Sequence, residues 1–188
     1  MKKIALTGNI ASGKSLVENQ LKSLGASIID ADEVAHKVLE EKLSILKAFF
    51  GEKILNQGEL NRQNLAKIVF SDKAKKEKLE SIIHPVVKEK IDNFLKENNN
   101  AIASIPLLFE TGWEKDFDVI IFVMAKDNIR QKRLINRNNF SKEEAKKRMK
   151  SQLPQLQKAN KSDFIIDNNG TKEETFEQVK KIYDNIWM

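Results

Sequence analysis

Eight residues near the start of the chain, Gly8-Asn9-Ile10-Ala11-Ser12-Gly13-Lys14-Ser15, match G-x-x-x-x-G-K-[ST] at every defined position. The spacing suits one kind of chemistry. Glycines let the backbone curl until successive amides point at a phosphate, and a helix opening there adds partial positive charge. Lys14 is long enough to reach β and γ phosphate oxygens, and the Ser15 hydroxyl is the expected Mg²⁺ ligand. The bland alternative is a glycine-rich turn that fits by accident. Against it, the segment follows a strand-like run and opens a run of helical period. ATP with Mg²⁺ is therefore the expected ligand of Gly8 to Ser15, and phosphoryl transfer to a hydroxyl of a small nucleotide-like molecule the expected reaction.

Such a transfer needs a proton acceptor and cations over the moving charge. Asp30-Ala31-Asp32 ends the second apolar run and supplies two carboxylates. Asp32 is expected as general base and Asp30 as a structural or outer metal-shell group, although either would also suit the cap of a following helix over residues 33–40. Arg130, Arg133 and Arg137 recur at i, i+3 and i+7 and share a helix face, with Arg148 on the next helix. As a set they suggest an arginine-bearing helical lid; singly, each also reads as a solubilising surface residue. Arg62 is a candidate for an acceptor's phosphates. His36 and His84 are the only histidines and cysteine is absent, so no zinc site is expected. His84-Pro85 reads as the start or kink of a helix, or as a substrate contact.

Five short apolar runs must carry these groups: Ile4 to Thr7, Ser27 to Asp30, Ala101 to Leu108, Val119 to Met124 and Phe164 to Ile166. They are near-continuous rather than alternating, as in strands buried on both faces. Between them lie helical periods. Val17, Leu21 and Leu24 stop at Gly25, Ser141/Glu144 and Thr171/Glu174 have the form of capping boxes, and Phe176, Val179, Ile182, Tyr183 and Ile186 share one face. Strands alternating with helices predict an α/β fold, a five-stranded parallel sheet flanked by helices. The unequal spacing divides one domain of residues 1–188 into a nucleotide-binding core (about 1–31, 101–130 and 153–188), a mostly helical insert (about 32–100) and a lid (about 131–152).

The 188 residues are 40% hydrophobic and 32% charged, the balance of a globular chain. The longest apolar stretch is far short of the ~20 residues a membrane span needs, and the amino-terminal run breaks at Thr7-Gly8-Asn9 before any cleavage pattern. A cytoplasmic location is expected. The net charge of +6 is mixed with Glu along the chain, without a basic stripe interleaved with aromatics, so dedicated nucleic-acid binding is not expected. A monomer or weak oligomer is expected.

Taken in order, further motifs narrow the reading. The chain resembles the dephospho-coenzyme A kinase family over essentially its whole length. The resemblance rests on Leu6-Thr7-Gly8 before the phosphate loop, Ile29-Asp30-Ala31-Asp32, Ala35-His36, Leu60-Asn61-Arg62, Phe70, His84-Pro85, Pro106-Leu107-Leu108-Phe109-Glu110, Arg133 with Arg137, Arg148 with Gln152, and Asp163 to Asn168. It implies transfer of the γ-phosphoryl group of ATP to the ribose 3′-hydroxyl of dephospho-coenzyme A. It further implies that Asp32 activates that hydroxyl, that Ala11 to Leu16 contact the ATP phosphates, and that Arg137 is a lid arginine. Arg133 and Asn168 would lie on the nucleotide side, Asn168 after the last strand where adenine is expected. Arg62, His84 and Pro85 would lie on the acceptor side. Asn9 and Ala11 stand where the family often has glycine, and Leu16 where it usually has threonine. A nucleoside or nucleoside-monophosphate kinase shares this layout, and a nucleotide-dependent switch or nucleic-acid-associated module is the reading from another class.

Overall fold

The structure, a computed structural model, describes residues 2–188. Its central sheet contains five strands, β1 (Ile4–Gly8), β2 (Ser27–Asp30), β5 (Ala101–Ser104), β6 (Val119–Met124) and β7 (Phe164–Asp167), in the order β2-β5-β1-β6-β7. Every pairing is parallel, as the near-continuous apolar runs predict. Successive side chains leave opposite faces of a strand. Ile4, Leu6, Ile102, Val119, Ile121, Val123 and Ile166 therefore join one core cluster, while Ala5, Ile120 and Phe122 are buried on the alternate phase.

Two helices complete that cluster. Helix α1 (Lys14–Ser23) contributes Val17 and Leu21, and helix α9 (Lys172–Trp187) contributes Val179, Ile182 and Tyr183, all five on the predicted faces. Burying each of these large side chains is worth about 1.5–3 kcal/mol. Helix α1 ends as its glycine predicts. Gly25 takes φ +100°, its amide donates to Lys22 O at 3.0 Å, and the Ala26 amide reaches back to Leu21 O at 3.0 Å, the paired bonds of a Schellman end.

Contacts divide the chain into two compact units, residues 1–30 with 94–188, and residues 31–93. In the second lie α2 (Ala31–Glu41), α3 (Leu43–Phe50), a hairpin of β3 (Leu55–Asn56) and β4 (Glu59–Leu60), α4 (Arg62–Phe70), and most of α5 (Lys73–Glu97). Leu46, Ile54, Leu65 and Val69 form its own core. The insert is mostly helical, as its period predicts, and the hairpin is an addition that the period did not mark. Gln57 and Gly58 have φ +50° and +88°, the two left-handed positions of a two-residue turn whose twist suits paired strands.

Two expectations are corrected. His84-Pro85 does not start a helix: Pro85 lies inside the 25-residue α5, where the apolar face holds the helix together despite one missing amide. The strand expected over residues 101–108 ends at Ser104. Ile105 still donates to Leu6 O at 2.9 Å, but Pro106 has no amide to extend the ladder and the chain turns.

In the first unit α6 (Asp127–Asn138), α7 (Lys142–Lys150) and α8 (Gln155–Ala159) follow β6. Both predicted capping boxes are present. Ser141 Oγ accepts the Glu144 amide at 3.1 Å while Glu144 Oε2 accepts the Ser141 amide at 2.9 Å, and Thr171 with Glu174 repeats the pattern at 3.1 and 2.8 Å. The Ser141 amide holds the Glu144 carboxyl below the usual carboxylate range. A lowered folded-state value means the contribution is present above the ordinary carboxylate range and is lost as pH falls through the lowered value. Ser141→Ala is expected to cut hydrogen-exchange protection of the α7 amides about fivefold near neutral pH, and to cost less once Glu144 is protonated.

Candidate active site

The phosphate loop leaves the carboxyl end of β1, the middle strand, where chain connections diverge to either side and α/β sheets open a crevice. Its first glycine is fixed by space. A side chain on Gly8 would meet Ser12 Oγ at 2.6 Å and Val123 O at 2.8 Å. The second is fixed twice over, since Gly13 has φ +100° and a Cβ there would lie 1.8 Å from Asn168 Nδ2. Ala11 takes φ +60° without being glycine, a conformation that costs about 1–2 kcal/mol.

The carbonyls of this loop face cations and amides on their outer side. Arg133 donates from NH1 to Ser12 O at 3.0 Å and Ala11 O at 3.4 Å, and from NH2 to Asn168 O at 3.0 Å. Asn168 Nδ2 donates to Ser12 O at 2.7 Å, and its Oδ1 accepts the Thr175 hydroxyl at 3.0 Å. Buried Arg130 donates to Ile10 O at 3.0 Å and to Asp127 at 3.0 Å. Burial pulls the Arg130 pKa down, and Asp127 opposes that pull. With the carbonyls turned outward, the Gly13, Lys14 and Ser15 amides have no protein acceptor among the described residues. They stand at the start of α1 as a ready anion cradle.

Lys14 shows how the sheet registers this site. Asp30 and Ser104 are paired neighbours at the ends of β2 and β5. Lys14 Nζ donates to Ser104 Oγ, lies 2.5 Å from Glu18 Oε1, and lies 3.7 Å from Asp30 Oδ2. The Ser104 hydroxyl donates to Glu18 Oε1 at 2.5 Å. Glu18 and Ser104 escaped the sequence reading. Glu18 had a signal, the i+4 spacing from Lys14; Ser104 had none, because only strand register brings it there.

Ser15 is exposed beside this cluster. No group of three or more His, Cys, Asp or Glu capable of holding a metal occurs among the described residues. The Ser15 hydroxyl at the start of α1 is a single hard oxygen, the kind of donor Mg²⁺ takes beside phosphates and waters.

The remaining candidates divide between the two units. Asp32 is exposed in the first turn of α2, in the unit of residues 31–93, and α2 begins at Ala31 rather than at 33. In the same unit exposed Arg62 pairs with Glu40 beside an open cavity of about 700 Å³ lined by Leu43, Asn56, Asn61 and Gln63 among others. His84 is half-buried and Pro85 exposed; burial lowers the His84 pKa. The expected shared face of three arginines divides by depth. Arg130 is buried and Arg133 tied to the loop backbone, while Arg137 is exposed and bonds Asn138 at 3.0 Å. Arg148 lies over the Phe140 ring at 4.4 Å. Leu16 continues the first turn of α1, its amide bonded to Gly13 O at 2.9 Å.

Gly13→Ala is expected to lower stability by about 2 kcal/mol or more and to weaken ATP binding. Thermal denaturation and nucleotide titration would check both.

A glycine-fixed loop at the switch point of a parallel sheet, an amide cradle and a lysine at its centre define a phosphate-loop phosphotransferase. The family model for dephospho-CoA kinase matches residues 2–174. A dephospho-CoA kinase from Listeria monocytogenes is 43% identical over 187 residues, covering 95% of this chain and 94% of that protein. The solved dephospho-CoA kinase from Campylobacter jejuni is similar at a TM-score of 0.76 with 32% identity, covering 98% and 96%. A crystal structure from Thermus thermophilus is similar at 0.91 with 33% identity, covering 100% and 98%. The chain belongs to the dephospho-CoA kinase family.

Proposed function

We propose that the chain transfers the γ-phosphoryl group of ATP to the ribose 3′-hydroxyl of dephospho-coenzyme A, giving coenzyme A and ADP, the final step of coenzyme A synthesis. The observation that carries this is the amide cradle with Lys14 at its centre, in a chain matched by the family from residue 2 to residue 174. The Gly13, Lys14 and Ser15 amides grip the ATP phosphates, with Gly8, Ala11, Ser12 and Leu16 shaping the loop around them. Lys14 leaves Glu18 and Ser104 to meet the β and γ oxygens as charge develops there. The Ser15 hydroxyl would hold Mg²⁺, which would supply positive charge against the phosphates.

Asp32, two residues beyond Asp30 in the chain, takes the proton of the attacking hydroxyl. Arg137 supplies a cation from the lid, about residues 131–152. Arg133 and Asn168 serve the nucleotide by holding the loop's outer carbonyls, with Asn168 also near where adenine is expected. Arg62, His84 and Pro85, in residues 31–93, contact the acceptor. The working protein is a cytoplasmic monomer or weak oligomer without nucleic-acid or membrane partners; no described helix is long and apolar enough to cross a membrane.

Acceptor choice is the sharpest test of this reading. With dephospho-coenzyme A, nucleosides and nucleoside monophosphates at equal concentration, phosphate from ATP is expected almost wholly on dephospho-coenzyme A. Preferential labelling of a nucleoside or monophosphate would reassign the enzyme within the kinase class.

A further inference from the structure

Two motifs of the sequence, the Pro106 to Glu110 run and Gln152, find no role in the chemistry above. Gln152 reaches the phosphate loop, and Glu110 holds the residue that follows it. The Ile10 amide donates to Gln152 Oε1 at 2.7 Å, and Asn9 Nδ2 donates to Leu153 O at 2.9 Å. The Leu153 amide donates in turn to Glu110 Oε1 at 3.1 Å. The same oxygen lies 2.6 Å from the ammonium of Lys158, whose side chain is fully buried. Two residues further on, Gln155 donates to Asp127 at 3.1 Å, the carboxylate that also holds Arg130. The Ile10 backbone is thus gripped on both sides of its Cα, its amide by Gln152 and its carbonyl by Arg130 at 3.0 Å.

The residue after that peptide is Ala11, at φ +60°. A left-handed non-glycine residue persists only where its surroundings over-determine it. The amides that cradle phosphate lie just beyond, and their convergence needs Ala11, like Gly13, to stay left-handed. If the Ile10 peptide is released, Ala11 relaxes to negative φ and the cradle opens.

We propose that Gln152 and Glu110 are positioning residues for ATP binding: with the Leu153 backbone and Lys158 they form a clasp that holds the Ile10 peptide and thereby keeps Ala11 in its strained conformation. Gln152 follows the last residue of α7 by only two positions, so the clasp also ties the exit of that helix to the loop. This rests on the phosphate loop binding ATP, but not on the identity of the acceptor.

The test is a set of ATP dissociation constants measured on full-length protein by calorimetry, with thermal denaturation beside them. Gln152→Met keeps the volume and removes the acceptor for Ile10; it is expected to raise the ATP Kd about tenfold, the upper range for losing one hydrogen bond. In an Ala11→Gly background, where the left-handed conformation carries no strain, the same substitution is expected to raise Kd no more than about threefold. A role in general stability alone would lower the melting temperature equally in both backgrounds and leave Kd of the folded protein alone. Glu110→Gln, acting from the far end of the clasp, is expected to show the same dependence on residue 11, so a failure of Gln152→Met to fold leaves a second reading. An unchanged Kd in the alanine background, or an equal loss in both, would overturn the clasp. Normal ATP binding without turnover of dephospho-coenzyme A would refute the acceptor assignment and leave the clasp standing.

Discussion

Asp32→Asn is expected to turn over about 10²-fold or more slowly than the parent while binding ATP with unchanged affinity. The expectation follows from what the substitution removes. Asparagine keeps the size of the side chain and its place in the first turn of α2, but cannot accept a proton. Asp32 is exposed there, beside Glu33, where negative charge at a helix start is favourable and its loss costs little. Fold and nucleotide grip should therefore survive. Because phosphoryl transfer proceeds with little covalent help from the protein, removing the proton acceptor acts on kcat rather than on KM for ATP. Steady-state kinetics with a nucleotide titration would separate the two. Unchanged kcat would remove Asp32 from the chemistry.

Lys14→Ala has a different signature, with kcat/KM for ATP down by about 10²–10³-fold and the loss shared between binding and rate. Lys14 is the cation of a part-buried cluster, 2.5 Å from Glu18 and 3.7 Å from Asp30. Removing it deletes the charge proposed to meet the β and γ oxygens and leaves the Glu18 and Asp30 carboxylates without their lysine partner. Both effects disfavour bound ATP, and the first also disfavours the transition state. Adding Glu18→Gln to Lys14→Ala is expected to recover part of the binding and none of the rate, because the glutamine removes repulsion without supplying a cation.

The contrast between these two residues shows how much could be read in advance. The phosphate loop was legible because strand, loop and helix follow one another within 20 residues, and each fixed position has a local physical reason. The five parallel strands and both capping boxes were legible for the same reason. Ser104 was not, since its place beside Lys14 depends on β5 pairing with β1, where Ser104 stands opposite Leu6, across the whole insert. The β3–β4 hairpin was missed because two-residue strands carry no periodicity, although Gln57-Gly58 follows an asparagine, a composition that suits a tight turn. Pro106 could have warned that the third apolar run stops early, and Pro85 shows the opposite case, a proline carried inside a helix by apolar packing. Arg130 and Arg133 obeyed the helical period used to group them with Arg137. Periodicity gives a shared face but not depth, and depth separates two arginines that hold the loop from one left exposed.

The most direct measurement is to incubate the protein with ATP, Mg²⁺ and dephospho-coenzyme A, and to locate the transferred phosphate in the product by phosphorus NMR and mass spectrometry. The expected result is stoichiometric ADP and a new monoester at the ribose 3′ position, identical with coenzyme A and formed far more slowly when Lys14 is replaced by Ala. ADP release with no phosphorylated acceptor from a folded enzyme, or a phosphate placed elsewhere on the molecule, would contradict it.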